Sequence, residues 1–330
     1  MYTNLHWNFG RNSKEDPVLP TQLTAMQEGA LIDDLRYSLR ADPIERRETV
    51  SPAEFAAEFE GGAGRPVIIG DAAATWPARE KWTFDFFRQQ CGGDLVTVTD
   101  RLFGSKINHR VRLAEYLTYC QFPSMSPLAA VAATAEYPLY LTSYSPFAKH
   151  PELLDDFADP YYVDNIYRDL EGGLREWYLR GFSWIFIGPK GTLSPLHIDL
   201  FSTHAWLAQL QGRKHFLLFP PSDGPKLYNG AVNLYAPDLE KHPLLAEARP
   251  VEAILEPGDV IFIPAGWAHQ VISLSPSISV TVNYVSRSNA LRHVMTISRE
   301  LPGWASKIDT PGFREAARIR WKSQGFVHDE

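Results

Sequence analysis

Leu196-His197-Ile198-Asp199 is the stretch of this 330-residue chain from which its fold and chemistry are best predicted. A β-strand points alternate side chains to one face, so His197 and Asp199 would project together while Ile198 points away. An imidazole and a carboxylate on a common face supply two of the three ligands of a facial metal triad, which leaves coordination positions open. We therefore predict a metal site here, completed by a ligand from elsewhere in the fold.

The segments around this stretch predict an antiparallel sandwich or jelly roll. After Gly181, short β-type runs follow one another, separated by Gly, Pro and Asp and without long helices between them. This pattern is typical of all-β barrels and sandwiches. Gln211-Gly212-Arg213 is a natural hairpin turn between two of the runs. The predicted strands are 183–187, 196–200, 205–210, 214–219, 260–263, 269–273 and 278–284.

His269 is the candidate for the third metal ligand. It follows a turn that contains Pro264 and Gly266, and this turn could deliver its imidazole onto the face that carries the first two ligands. A half-buried histidine beside Trp267 is the structural alternative. Because ligand imidazoles must be neutral, metal binding should weaken as the pH falls below about 6.5.

Lys214 begins a predicted strand, 214–219, that is otherwise mostly apolar. A lysine that points into a barrel needs an anion, because an unpaired buried charge is costly. The distal carboxylate of 2-oxoglutarate would supply that anion. Alternatively, the residue lies at the strand end with its ammonium group in water.

The composition predicts a soluble, cytoplasmic protein. A net charge of −7 and a pI near 5.8 argue against general binding to nucleic acid or to anionic membranes, and are compatible with a cationic substrate. Cys91 and Cys120 are the only cysteines, so no disulfide framework is expected. The N-terminal residues have no apolar segment, and no apolar run approaches the roughly 18 residues of a membrane span.

The chain divides into four predicted segments that form one compact unit. They are a polar, partly helical segment (1–45), an α/β extension (46–180), the strand-rich core (181–286) and C-terminal helices (287–330). Ser51, Pro52 and Glu54 form a capping box that begins one helix. Further helices are predicted at 22–39, 81–90, 112–120, 289–299 and 312–323, and further strands at 66–69, 95–99 and 138–141. Acidic residues between Glu152 and Asp164 could attract a cationic substrate or form a solvated face.

Several longer motifs are more specific than any single residue. They include Gly191-Thr192-Leu193-Ser194-Pro195-Leu196-His197-Ile198-Asp199, Ala208-Gln209-Leu210-Gln211-Gly212-Arg213-Lys214, and Pro257-Gly258-Asp259 continuing to Trp267-Ala268-His269, with Thr281-Val282-Asn283-Tyr284 after them. Together, over about 45–290, they resemble the JmjC (Jumonji C) group of cupin-like, 2-oxoglutarate-dependent oxygenases. Within that group, they are most similar to the branch of the Jumonji lysyl hydroxylase, also called an arginine demethylase.

The resemblance implies a mainly β protein with helical decoration, whose core is a double-stranded β-helix. His197, Asp199 and His269 would bind Fe(II), with 2-oxoglutarate and O2 as cosubstrates. The implied reaction hydroxylates a carbon of an amino-acid side chain, in a protein, peptide or metabolite, and releases succinate and CO2. The same chemistry on an N-methyl group would give demethylation. A metal-dependent cupin enzyme that does not use 2-oxoglutarate and a binding module without turnover are the rival hypotheses. The C-terminal helices could form a homodimer interface, as in relatives.

The resemblance also assigns the cosubstrate pocket. Lys214 and Tyr140 would hold the distal carboxylate of 2-oxoglutarate, and Ser194 stands where the family usually has threonine. Thr281 and Asn283, two residues apart on one strand, would line the pocket. This chain has Leu207 where close relatives carry an asparagine near the cosubstrate, which bears on how 2-oxoglutarate is oriented.

Overall fold

Fourteen β-strands make up most of the regular structure in residues 39–100, 108–135 and 137–300, the part of the chain that the computed structural model describes. Their bounds are β1 (Asp42–Pro43), β2 (Glu45–Arg47), β3 (Val67–Ile69), β4 (Leu95–Thr99), β5 (Asn108–Arg112), β6 (Leu141–Tyr144), β7 (Ser183–Gly188), β8 (Leu193–His197), β9 (His204–Gln211), β10 (Lys214–Phe219), β11 (Val251–Leu255), β12 (Val260–Ile263), β13 (Ala268–Ser273) and β14 (Ser277–Tyr284).

The strands form two main sheets. The larger sheet has the order β2-β3-β12-β9-β14-β7-β6, the smaller has β1-β11-β10-β13-β8, and β4 and β5 form a separate hairpin. From β7 to β10 and again from β11 to β14, successive strands alternate between the two sheets, and their pairs within each sheet are antiparallel. This winding confirms the predicted double-stranded β-helix core.

The inner faces of the two sheets enclose an apolar cluster. On β10, Phe216 and Leu218 point inward, as does Val271 on β13; Leu207 on β9 and Ile261 on β12 lie in the same cluster. Side chains alternate along a strand, so Lys214, two residues before Phe216, also points into the barrel. The alternation of side chains along each strand therefore determines which polar residues point into the barrel.

N-terminal elements pack on the outer face of the larger sheet. The predicted capping box is present, because the Ser51 hydroxyl accepts a bond from Glu54 N (3.2 Å) and the Glu54 carboxylate accepts one from Ser51 N (3.4 Å). The helix continues as a π-helical turn to Gly61 and buries Phe55 and Phe59 completely. This capped helix fixes the extension to the barrel.

Seven α-helices accompany the strands in the described ranges: α1 (Pro52–Phe55), α2 (Ala78–Lys81), α3 (Phe84–Cys91), α4 (Leu113–Gln121), α5 (Ala129–Ala132), α6 (Gly172–Phe182) and α7 (Ala290–Glu300). The helix predicted at 81–90 is two helices, because Thr83 is extended and caps α3 through a bond from Phe86 N. The helices predicted at 112–120 and 289–299 are confirmed as α4 and α7. Nearly all of the predicted helix 22–39, and all of 312–323, lies outside the described residues.

Two predicted strands differ in their bounds, and strands β1, β2, β5 and β11 were not predicted. The strand predicted at 196–200 is β8, which begins at Leu193 and ends at His197. It can include Pro195 because it lies on the edge of the smaller sheet, where the missing N–H costs no ladder bond. The strand predicted at 138–141 begins only at Leu141. Strand β11 was missed, because Glu252 interrupts its apolar pattern; this carboxylate is buried and lies 3.1 Å from His215 Nε2.

The division into four segments stays a prediction. None of the helices within the described ranges is both long and apolar enough to span a bilayer.

Candidate metal and cosubstrate site

His197 and His269 face each other across two paired strands. His197 is the last residue of β8, His269 is the second residue of β13, and the two are direct partners in the antiparallel register. Their ring centroids are 4.2 Å apart. The alternation of side chains along each strand does not predict this pairing, because the pairing also depends on the register between β8 and β13.

Asp199 completes the group that we call the triad (His197, Asp199 and His269). It lies two residues beyond β8, but its backbone is still extended (φ −59°, ψ 146°), so the predicted alternation with His197 holds without a strand. Asp199 Oδ1 is 4.0 Å from His197 Nε2, and the ligand atoms of all three residues lie within 4.8 Å of one another. The side chains of His197 and Asp199 are 29% and 16% exposed, so the triad opens to solvent on one side.

Backbone carbonyls fix the tautomers of both histidines. His197 Nδ1 lies 2.7 Å from Pro195 O, and His269 Nδ1 lies 3.2 Å from Trp267 O. Because a carbonyl only accepts, each Nδ1 must carry the proton, which leaves the Nε2 lone pairs free for a metal. Burial, together with the neighbouring His197, lowers the pKa of His269 to about 4, so its imidazole is neutral at physiological pH.

Lys214 lies inside the barrel, 1% exposed. Its Nζ donates a hydrogen bond to the Tyr140 hydroxyl (3.2 Å) and lies 5.2 Å from the centre of the Phe186 ring. None of the described carboxylates forms an ion pair with it, and burial lowers its pKa to about 7. The strand-end alternative is therefore wrong for this lysine. A buried ammonium group without a counter-ion calls for an external anion.

Tyr140 is held on both sides. Its hydroxyl contacts Lys214 and is hydrogen-bonded with Ser194, while burial raises its pKa well above the usual value. The ring lies against Gly188, where an added Cβ would come within 2.7 Å of ring atom Cδ2. Lys214, Tyr140 and Ser194 therefore form one polar group, which we call the lysine pocket.

Thr281 and Asn283 also face the barrel interior, on β14. The Thr281 hydroxyl donates to Trp206 O (2.7 Å), and Asn283 Nδ2 donates to the Thr203 hydroxyl (2.9 Å). Leu207 is the register partner of Thr281 and packs in the apolar cluster. The barrel interior is thus apolar at Leu207, where close relatives carry an asparagine.

The donor set fits an iron ion with a chelating dicarboxylate. Two neutral imidazoles and one carboxylate would take three positions of an octahedral metal and leave three open. The buried, unpaired ammonium group of the lysine pocket would receive the far carboxylate. Both features come from residues on the inner side of the same barrel.

A second group of potential ligands lies outside the barrel. Cys91, Asp94 and His150, which we call the Asp94 cluster, also have ligand atoms within 4.8 Å of one another. The Asp94 carboxylate is already bonded by Lys149, by the Tyr144 hydroxyl (2.6 Å) and by His150 Nε2 (3.0 Å). Burial opposes the ionisation of Asp94, but these bonds outweigh it and hold the pKa of Asp94 below its usual value.

Most of the acidic residues between Glu152 and Asp164 bind other parts of the protein. Asp156 pairs with Lys81 (2.8 Å) and accepts a bond from Trp82 Nε1 (2.8 Å). Asp159 accepts bonds from Trp206 Nε1 (2.9 Å) and from Asn165 Nδ2 (3.0 Å). The expectation of a surface that attracts a cationic substrate gains no support from these contacts.

Two functional neighbours were not predicted from the sequence. Phe186 supplies the ring over Lys214, and Gly188 leaves room for Tyr140. The sequence shows that Phe186 and Gly188 lie on the same face of β7, because they are two residues apart. Which face of β7 points inward becomes clear only from its pairing with β14.

A double-stranded β-helix that carries a two-histidine, one-carboxylate triad inside one end defines a cupin-type metal protein. Residues 52–290 match the family model described as "Cupin-like domain", and the chain belongs to this family. The resemblance stated from the motifs is thereby confirmed.

Curated relatives carry more specific names. The chain is 30% identical over 77% of its length to "Lysine-specific demethylase JMJ21" of Arabidopsis thaliana, of which it covers 26%. It is 32% identical over 77% to "Arginine-specific demethylase JMJ22" of the same species, of which it covers 48%. It is 27% identical over 71% to "2-oxoglutarate and iron-dependent oxygenase JMJD4" of Gallus gallus, of which it covers 59%. The chain thus spans between a quarter and three fifths of these relatives.

Proposed function

We propose that this protein is an Fe(II)- and 2-oxoglutarate-dependent dioxygenase that hydroxylates a carbon of an amino-acid side chain in a protein, a peptide or a related metabolite. The observation that carries the proposal is Lys214. Its ammonium group is buried in the same barrel as the open triad and has no carboxylate partner in the described part of the chain. One relative is named "2-oxoglutarate and iron-dependent oxygenase JMJD4", and this name supports the same chemistry.

The residues of the chain have separate roles in this proposal. His197, Asp199 and His269 would hold the metal, and their fixed tautomers avoid reorganisation when it binds. Lys214 and Tyr140 would bind and orient the distal carboxylate through charge-assisted hydrogen bonds. When bound, iron with 2-oxoglutarate and O2 supplies an oxidant able to insert oxygen into an unactivated C–H bond, with release of succinate and CO2.

The lysine pocket also excludes water from the cosubstrate. The rings of Tyr140 and Phe186 cover the Lys214 ammonium group, and Tyr140 is 4% exposed. A carboxylate that reaches this position would be bound in a low-dielectric environment, where its attraction to the ammonium group is strong. The site therefore favours a dicarboxylate over a monocarboxylate of similar length.

Demethylation is the second candidate, because two of the relatives are named as demethylases. Hydroxylation of an N-methyl group would start it, and the same residues would serve. The two names point to a lysine or arginine side chain as the substrate of this second reaction. The composition further predicts a cytoplasmic protein, and a homodimer through α7 and the residues after it stays a prediction from the resemblance.

Succinate formation tests the proposal directly. The full chain is incubated anaerobically with Fe(II), then with 2-oxoglutarate, O2 and panels of basic peptides, free amino acids and cell-lysate fractions. We expect succinate release that depends on Asp199, and mass spectrometry should then find a product that has gained one oxygen or lost one methylene. Succinate release that survives Asp199→Ala would refute the assigned site.

A further inference from the structure

The loop that follows Asp199 has an unusual backbone. Phe201 (φ 53°, ψ 29°) and Ser202 (φ 55°) are both in the left-handed region, one directly after the other. Any residue with a Cβ pays free energy there, and neither residue is one of the types that tolerate it well. Such a conformation persists only where the surroundings impose it. Asp199 is therefore anchored on one side by an edge strand and on the other by a strained loop.

Two side chains from the start of α7 hold the strained peptides. Asn289 Nδ2 donates to Ser202 O (2.9 Å), and His293 Nδ1 donates to Phe201 O (2.7 Å). Both side chains are buried, at 3% and 2% exposure. Each of the two left-handed residues thus has its carbonyl bound by a donor from about ninety residues further along the chain.

The two donors are themselves fixed. The Tyr167 hydroxyl lies 2.6 Å from His293 Nε2, and Asn289 Oδ1 accepts a bond from Ser286 N (2.8 Å). Because His293 Nδ1 faces a carbonyl, it carries the proton, and Nε2 must accept from Tyr167. The hydroxyl therefore sets the tautomer that the loop requires, as an outer partner does for a metal-binding histidine.

We propose that Asn289 and His293 are positioning residues for the metal site: they hold the loop 200–203 in its strained form and thereby set the direction of the Asp199 carboxylate. This inference rests on the metal site of the proposed function. It adds α7, an element outside the barrel, to the parts of the chain that determine metal affinity. Loss of either donor lets the loop relax and frees the carboxylate to turn away.

Mn(II) affinity of the full chain, measured by calorimetry without cosubstrate, tests the inference. We expect Asn289→Ala and His293→Ala each to weaken Mn(II) binding about tenfold or more, the range for lost outer partners of metal ligands. His293→Asn should keep most of the affinity, because the Asn amide can replace Nδ1 as the donor to Phe201 O. Thermal unfolding and circular dichroism of the metal-free variants check that each is folded.

Ser202→Gly provides a sharper test through a double-mutant cycle. Glycine adopts the left-handed conformation without strain, so the loop then depends less on its donors. We expect the effect of Asn289→Ala on Mn(II) affinity to fall from about tenfold to below about threefold in the Ser202→Gly background.

Two control variants match these changes elsewhere in the fold. Asn229→Gly replaces a residue in the other left-handed pair, Tyr228 and Asn229, on the outer side of the smaller sheet. His215→Ala removes a buried histidine that contacts Tyr235 and Glu252. Both should change thermal stability and leave Mn(II) affinity unaltered.

The outcomes separate this inference from the proposed function. If the wild type binds Mn(II) and the donor variants lose stability only, with unchanged affinity in both backgrounds, the positioning role is wrong and the metal site stands. If the wild type binds no Mn(II), both the metal site and the positioning role are overturned. Weakened binding that His293→Asn restores, together with the loss of coupling in Ser202→Gly, supports the inference.

Discussion

The triad and the Asp94 cluster each bring three side chains with metal-binding atoms within 4.8 Å of one another, yet their surroundings differ. In the triad, both histidines point Nδ1 at a backbone carbonyl and keep a free Nε2. In the Asp94 cluster, His150 Nε2 lies 3.0 Å from the Asp94 carboxylate and Nδ1 lies 3.6 Å from the Glu152 carboxylate, so each ring nitrogen already faces a carboxylate of the protein. Ligand residues alone therefore do not define a metal site.

The lysines near the two groups also differ in whether their charge is paired within the protein. Lys149 bonds the Asp94 carboxylate, so the Asp94 cluster balances its own charge. Burial raises the pKa of the Cys91 thiol to about 11, which keeps it protonated and a poor ligand. Lys214, in contrast, has no described anionic partner. A ligand-binding site is therefore recognised by metal-binding atoms and charges that have no partner within the protein. The difference between the triad with Lys214 and the Asp94 cluster can be tested by mutation.

The largest effect is expected from removing one carboxylate of each group. Asp199→Ala should weaken Mn(II) binding by more than about 100-fold, beyond the range for outer partners, and abolish succinate release. Asp94→Ala should leave the Mn(II) stoichiometry and affinity unchanged and destabilise the fold by about 1–3 kcal/mol, because buried donors lose their acceptor. Calorimetry and thermal unfolding measure the two quantities. Loss of one metal per chain in Asp94→Ala would erase the contrast between the two groups.

The two lysines should differ next. Lys214→Met should weaken 2-oxoglutarate binding by about 10- to 100-fold, which corresponds to a charged hydrogen bond of about 1.5–3 kcal/mol. The same change should raise the thermal midpoint of the ligand-free protein, because it removes an unpaired buried charge. Lys149→Met, at an exposed side chain, should leave cosubstrate affinity unaltered. A ligand-free Lys214→Met protein less stable than wild type would indicate an internal counter-ion.

The pH dependence follows from the pKa of Lys214, about 7 in the ligand-free protein. Because this value lies below that of the unfolded chain, about 10.4, the unfolded chain binds a proton that the ligand-free fold does not, and the fold loses stability progressively as the pH falls from about 10 to about 7. A bound dicarboxylate favours the ammonium form, so binding above pH 7 takes up a proton. We expect 2-oxoglutarate affinity to fall up to tenfold per pH unit above about 7. Calorimetry in buffers of different ionisation enthalpy measures the proton uptake, which should vanish in Lys214→Met.

The smallest effect is expected at Gly188. An added Cβ would lie 2.7 Å from the Tyr140 ring and from the Thr192 hydroxyl, so Gly188→Ala should displace Tyr140 and weaken 2-oxoglutarate binding several-fold, corresponding to about 1 kcal/mol. Mn(II) affinity should stay the same. Gly173→Ala, whose Cβ meets nothing within 4 Å, is the matched control. Equal cosubstrate affinity in both variants would show that Tyr140 does not bind the carboxylate.

Much of this fold could be predicted from local pattern, and the errors have physical causes. The parity of His197 and Asp199, the turn before His269 and the apolar run after Lys214 depend on neighbours in sequence. Strand β11 was hidden because Glu252 is stabilised by His215, a partner in another strand. A strand that contains a buried charged residue can be recognised only when its partner in another strand is known.

The site residues also divide into those that the sequence predicts and those that it does not. The triad and the lysine pocket could be predicted because strand alternation and motif resemblance act on the residues themselves. Gly188, Phe186 and the donors Asn289 and His293 could not, because their roles depend on contacts between elements far apart in the chain. Nothing in the sequence around the α7 donors distinguishes them from ordinary helix residues.

Calorimetric titration of 2-oxoglutarate into the full chain, with and without Mn(II), tests the central claim that the triad and Lys214 form one site. We expect one 2-oxoglutarate per chain, bound only when the metal is present, lost in Asp199→Ala and weakened about 10- to 100-fold in Lys214→Met. Binding of equal strength without metal, or binding that survives Lys214→Met unchanged, would contradict this claim.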